Sequence, residues 1–175
     1  MIDRYLLYLI GLPGAGKSTL LNTALKDVPG REWPSPFVHI QYPHGAQLGA
    51  QRSPFGGTDA LALNVQPKVI QWLDHCPYRY VVAEGDRLAN RKFFAAVINL
   101  GWHLTVALVD VPPVVAQRRR TRRGALQSEI WAKGRLSKLQ ALLPLVNWRL
   151  DGLESISALA DQLNHHIAMR GLREG

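Results

Sequence analysis

Residues 11 to 18, Gly-Leu-Pro-Gly-Ala-Gly-Lys-Ser, constrain this chain more than any other stretch. They follow an apolar run, Tyr5 to Ile10, in which β-branched, aromatic and leucine residues succeed one another without polar alternation, the pattern of a strand buried on both faces. The octapeptide fits G-x-x-x-x-G-K-[ST] with no departure. Gly11, Gly14 and Gly16 let the backbone curl around Ala15 until successive N–H groups point inward as a nest for phosphate. In this pattern Lys17 reaches the β- and γ-phosphates and the Ser18 hydroxyl ligates Mg²⁺. A helix from Ser18 to about Lys26, with Thr19 in its first turn, aims its positive end at the same phosphates.

The remaining elements follow a strand–helix alternation. Strand composition marks 36–42, PFVHIQY, and a long loop rich in turn residues is expected up to Gly57. Thr58 or Asp59 caps a helix that continues, kinked at Pro67, through KVIQWLDHC. YRYVVAEGD is a second buried strand ending in acids, and Asn90 caps a helix that Gly101 ends. WHLTVALVDV is the next strand, and Pro112 and Pro113 start a helix carrying arginines. A helix from about Ser128 to Leu143, a short strand near Leu145 to Trp148 and a last helix capped near Ser155 complete the order. This order predicts a three-layer α/β/α sandwich on a mainly parallel sheet of about five strands, with ligands at the carboxyl ends of the strands. At 175 residues the simplest expectation is one domain, 1–175, with an Arg-rich helical lid at about 112–140.

Three further groups of residues carry chemistry. In VVAEGDR (81–87), acids at a strand end beside a phosphate loop position Mg²⁺ or accept a proton from an attacking hydroxyl. Glu84, nearest the strand, is assigned to the metal and Asp86 to the base, while Arg87 holds a substrate phosphate or ties down the acids. In the arginine segment, Arg119 and Arg123 share one helix face and are assigned to the nucleotide; Arg118 and Arg122 share the neighbouring face. After Gly124, Lys133, Arg135 and Lys138 are expected to form a further basic face. In 48–61, LGAQRSPFGGTDAL, Gln51, Arg52, Thr58 and Asp59 lie where an acceptor would bind, although Asp59 is equally a good helix cap. Phe55 and the five tryptophans are candidates for stacking on a base, although Trp72, Trp102 and Trp148 sit in apolar periodic segments and read better as core.

Charge narrows the partner. Of a net charge of +8, residues 117 to 138 hold eight Lys or Arg against one acid, a local balance of +7. Beside a phosphate loop, a field so clustered suggests a polyanionic partner rather than a merely solvated face. The single cysteine, Cys76, excludes a disulfide framework and a Cys-rich zinc site and suits a reducing cytoplasm. The opening apolar run is too short for a membrane span, so no membrane role is expected. His165 and His166, adjacent in a late helix, read as surface residues rather than metal ligands.

The phosphate loop, the Glu84-Gly85-Asp86-Arg87 strand end and the Arg-rich segment together make the chain resemble a small P-loop kinase of the nucleotide and nucleoside kinase kind, within the P-loop NTPase fold. The stretches LGAQRSPFGGTDAL and WAKGRLSK are in addition similar to the bacteriophage P-loop kinases of 5-hydroxymethyluracil DNA. That resemblance implies ATP- and Mg²⁺-dependent phosphorylation of the base's hydroxymethyl group within DNA, a step of DNA hypermodification, in the host cell's cytoplasm. Asp86-Arg87-Leu88 departs from the D-R-Y/H signature of thymidylate kinases, and Glu84 does not lead directly into Arg as in deoxynucleoside kinases. Two other readings stand beside it: a kinase for a free nucleoside, nucleoside monophosphate or sugar, and a nucleic-acid-binding ATPase with no acceptor.

Overall fold

The computed structural model describes residues 3–52, 56–125 and 128–170. In chain order the elements are β1 (Arg4–Ile10), α1 (Lys17–Leu25), β2 (Arg31–Trp33), β3 (His39–Tyr42), β4 (Gly45–Leu48), α2 (Gln66–His75), β5 (Tyr80–Glu84), α3 (Arg91–Asn99), β6 (Trp102–Asp110), α4 (Pro113–Arg122), α5 (Glu129–Leu142), β7 (Trp148–Asp151) and α6 (Ile156–Ala168). The strands form one sheet in the order β2-β3-β4-β5-β1-β6-β7. From β4 to β7 every neighbouring pair is parallel, while β3 and β2 continue the β4 edge antiparallel.

β1 shows why the sheet is covered on both faces. Leu6, Tyr8 and Ile10 pack with Val69 and Leu73 of α2 and with Phe93, Phe94 and Val97 of α3. Leu7 and Leu9 point the other way, into Leu20 and Leu21 of α1 and Leu159, Leu163 and Ile167 of α6. Successive side chains of a strand alternate between faces, so an uninterrupted apolar strand demands helices on both sides. This is the α/β/α P-loop fold expected from the sequence. The register that aligns Leu9 of β1 with Glu84 of β5 sets the phosphate loop beside the acids that follow β5.

The sheet has seven strands among the described residues rather than about five. β4 lies inside the stretch expected to be loop. Its Gly-Ala-Gln-Leu sequence carries no β-branched residue, yet all four positions are buried between β3 and β5. The expected kinked helix from Thr58 is instead a 3₁₀ turn, Thr58–Ala60, followed by the separate helix α2 with Pro67 in its first turn. Proline lacks an N–H and fits there, where no intrahelical partner is needed. The short strand near 145–148 falls at Trp148–Asp151, because Leu143–Leu145 form a 3₁₀ turn around Pro144.

Asn90 caps α3 as expected, its Oδ1 accepting the Phe93 N–H at 2.9 Å. Trp102 is buried, and Trp72 and Trp148 are half-buried against the two cores. His165 is exposed, as expected, whereas His166 is half-buried. It stacks on Trp148, pairs with the Tyr80 hydroxyl at 3.1 Å, and burial pushes its pKa down to about 4. Phe55 lies outside the described residues. No helix among the described residues is long and apolar enough to cross a membrane.

Candidate functional site

The phosphate loop turns where α4 presses on it. A Cβ at Gly14, which adopts φ +91°, would lie 2.4 Å from the Ala116 carbonyl oxygen and 2.9 Å from Arg120 Cγ, so only glycine fits. Gly16 is the N-cap of α1. Lys17 follows at the first helical position, and its Nζ donates to the carbonyls of Gly11 (2.8 Å) and Leu12 (3.2 Å). The ammonium is thus held at the mouth of the loop by acceptors it can exchange for phosphate oxygens.

Ser18 Oγ donates to Glu84 Oε1 at 2.8 Å, joining the two residues assigned to a metal. Burial raises the Glu84 carboxyl above its ordinary range, against the lowering pull of Lys17 and the Ser18 hydrogen bond. Gly57 packs against this carboxylate: with φ +59°, a Cβ there would lie 2.2 Å from Glu84 Oε1. A hydroxyl and a carboxylate are hard oxygen donors that suit Mg²⁺. No group of three or more His, Cys, Asp or Glu side chains among the described residues could hold a metal. A magnesium ion at Ser18 and Glu84 would therefore complete its shell with water and phosphate.

Beyond Glu84 the acids are fixed by a second set of contacts. Asp59 Oδ1 accepts the backbone N–H groups of Asp86 (2.9 Å) and Arg87 (3.0 Å), across 27 and 28 residues of sequence. Tyr8 supports this corner from the core, its hydroxyl bonding to Thr58 Oγ1 and the Gly85 carbonyl, each at 3.0 Å. Asp86 Oδ2 pairs with Arg135 Nη1 at 2.8 Å, and Lys138 Nζ donates to the Asp86 carbonyl. Desolvation lowers the Lys138 pKa, partly offset by Asp86.

One cavity of about 850 Å³ is lined by Gly14, Gly16, Lys17, Ser18 and Thr19 together with Glu84, Asp59, Asp86 and Arg87, and by Arg120, Arg123, Arg135 and Lys138 from the arginine segment and α5. Other residues assigned from the sequence fall elsewhere. Gln51 is exposed, and Arg52 pairs with Glu32 of β2 at 2.9 Å. Thr58 is fully buried on Tyr8. Lys133 is exposed while Arg135 and Lys138 turn inward, so these three do not form one basic face. Positions 135 and 138 share a side of the helix; 133 is rotated well away.

Arg119 and Arg123 also part company. Arg119 donates to the carbonyls of Ala15 (3.1 Å) and Gly152 (3.0 Å), tying the phosphate loop to the turn before α6. There it lines a recess of about 190 Å³ with Ala15, Thr19, Arg123 and Ile156. Arg123 lines both spaces. The residues that sequence reasoning missed are Tyr8 and Arg120, and Trp131 entered only as one of five tryptophans able to stack on a base. Trp131 is four residues before Arg135 and seven before Lys138, a spacing that puts all three on one side of α5.

The sequence matches the family described as P-loop Nucleotide Kinase3 over residues 2–167. No curated protein matches the chain. Among solved structures it is similar to shikimate kinase from Acinetobacter baumannii in complex with shikimate, at TM-score 0.55 and 15% identity, with 95% of this chain and 94% of that chain covered. It is also similar to a sugar kinase from Janibacter sp. HTCC2649, at TM-score 0.54 and 15% identity, with 92% of each chain covered. A third similar structure is deoxyadenosine kinase from M. mycoides with bound dATP, at TM-score 0.51 and 11% identity, with 93% of this chain and 98% of that chain covered. At these identities the likeness is one of fold.

Proposed function

The chain belongs to the P-loop Nucleotide Kinase3 family, an ATP-dependent kinase, and from that premise we propose that its acceptor is a nucleotide hydroxyl. In its sharpest form the acceptor is the hydroxymethyl group of 5-hydroxymethyluracil in DNA. The observation that carries the reading is the single cavity in which Lys17, Ser18 and Glu84 meet Asp59, Asp86, Arg87, Arg135 and Lys138. Phosphate-binding, metal-binding and acid groups share one space that is also lined by Arg87, Arg120, Arg123, Arg135 and Lys138.

The roles follow from placement. The acceptor oxygen attacks Pγ, the bond from Pγ to the β,γ-bridging oxygen breaks, and ADP leaves. Lys17, Arg120 and Arg123 neutralise charge on the transferring group, where electrostatic positioning provides most of the catalysis. Ser18 and Glu84 would hold Mg²⁺, which when bound would further neutralise the phosphates. Asp59 receives the hydroxyl proton, since it is held by two neutral amides through Oδ1, whereas Asp86 is ion-paired to the guanidinium of Arg135. This exchanges the part that the sequence suggests for Asp86. The recess beside Arg119 suits the base of ATP, and α4 and α5 form the lid over 112–140.

Arg87, Arg135 and Lys138 suit a phosphate of the acceptor. The exposed Arg118, Arg122 and Lys133 extend positive charge beyond the cavity, which supports a polymer. A free nucleotide is the second reading, favoured by the inward turn of Arg135 and Lys138 onto Asp86. ADP formation should be measured in parallel with 5-hydroxymethyluracil DNA, unmodified DNA, mononucleotides, nucleosides and no acceptor. The proposal expects ADP to require an acceptor and the modified DNA to be best. Equal ADP formation without acceptor would leave an ATPase instead.

A further inference from the structure

We propose that Trp131 is a positioning residue of this site, holding one arginine from α4 and one from α5 so that a single cationic bridge spans from the phosphate loop to the acids. This rests on the reading of the cavity as the place of phosphate transfer. The guanidinium carbons of Arg120 and Arg135 lie 5.3 and 5.2 Å from the centre of the Trp131 ring. Arg120 packs its stem on Gly14 of the phosphate loop, and Arg135 reaches Asp86 at 2.8 Å. All three side chains line the cavity.

Two guanidinium groups brought together repel each other, and their long side chains lose conformational freedom when fixed. An indole offsets both effects, because its ring face attracts cations more strongly than that of any other side chain. The helix that carries the ring is anchored at its start: the backbone N–H of Trp131 donates to Ser128 Oγ, the N-cap of α5, at 3.2 Å. The Nε atoms of Arg120 and Arg87 are both buried without a hydrogen-bond partner in the described structure. A buried donor left unpaired is costly, and an anion in the cavity supplies the acceptor it lacks. Trp131 thus keeps Arg120 ready for phosphate before the phosphate arrives, so its effect falls on the transfer step more than on ATP affinity.

The test compares Trp131→Ala, Trp131→Phe, Arg120→Ala and the Trp131→Ala/Arg120→Ala double variant in the full chain. Calorimetric ATP·Mg²⁺ binding without acceptor, kcat and KM with acceptor, and the thermal midpoint are measured for each. Trp131→Ala should lower kcat by about tenfold or more while ATP affinity changes only a few-fold. Trp131→Phe should restore most of the rate, since a smaller ring face remains. The double variant should lose much less than the product of the single losses, because the two residues act together. Wild-type transfer by Trp131→Ala, equal losses in Ala and Phe, or fully multiplicative losses would each overturn the proposal. Failure of the wild-type chain to bind ATP·Mg²⁺ would overturn the reading of the cavity, and the role of Trp131 with it.

Discussion

Arg135 closes on Asp86, Nη1 to Oδ2 at 2.8 Å, so the carboxylate that ends the Glu-Gly-Asp turn is tied to α5. Asp59, by contrast, is held by neutral groups, its Oδ1 accepting the amides of Asp86 and Arg87. Asp59→Asn preserves an acceptor for those amides and removes the base, so kcat should fall by about a hundredfold or more with ATP affinity little changed. Asp86→Asn weakens the hold on Arg135 and should act mainly on acceptor KM. Steady-state kinetics of both variants decide the matter; a kcat loss confined to Asp86→Asn would return the proton to Asp86.

Lys17→Ala should lower phosphate transfer by about a hundredfold or more, the scale of losing one preorganised charge at a transition state. Among the described residues the ammonium's hydrogen bonds go to the loop carbonyls of Gly11 and Leu12, so the fold should survive its loss. Turnover by the variant within about tenfold of wild type would remove the phosphate loop from the mechanism.

Glu84 connects catalysis to pH. Its folded pKa is raised by burial, so its contribution to stability is present at low pH and lost as pH rises through the folded value. At neutral pH the ionised carboxylate therefore costs stability, and Glu84→Gln should melt higher than wild type. The gap should close as pH falls towards about 4, the ordinary carboxylate range. Thermal midpoints across pH check this, and a gap independent of pH would contradict it. The same variant should lose Mg²⁺-dependent transfer.

The exposed cations test the polymer. Arg118, Arg122 and Lys133 are exposed and lie outside the cavity lining. Replacing all three with Ala should flatten the log–log salt dependence of DNA KM by about two to three units while leaving the KM for ATP nearly unchanged. An unaltered slope would assign these residues to a solvated surface.

What the sequence disclosed depended on how local the signal was. The glycine spacing from Gly11 to Ser18 and the apolar run before it are contiguous, and they define the fold and one wall of the site. Glu84 was legible because a strand of the Tyr80–Glu84 type must end near the phosphate loop in a parallel sheet. Arg120 was hidden among Arg118, Arg119, Arg122 and Arg123, which occupy two neighbouring faces at the end of α4. Choosing among them requires knowing that Ala116 packs on Gly14, a tertiary contact that brings Arg120, one helical turn later, onto the loop. Asp59 looked like a helix cap because the amides it binds are 27 and 28 residues away. β4 lacked strand composition altogether; its neighbours impose the conformation on Gly45, Ala46, Gln47 and Leu48.

The central claim is that phosphate moves from ATP onto the base of a nucleotide within DNA, and locating the transferred atom tests it most directly. Single-stranded oligonucleotides containing 5-hydroxymethyluracil, with their 5′ ends blocked, would be incubated with ATP labelled at the γ-phosphate and Mg²⁺, then digested to nucleosides under conditions that spare base phosphates. An unpaired base removes the cost of extracting it from a duplex, so a single strand should be at least as good an acceptor as a duplex. The account predicts label on the hydroxymethyl group of the modified base and none on the unmodified oligonucleotide. Equal label on the unmodified oligonucleotide, or label released only as inorganic phosphate, would contradict it.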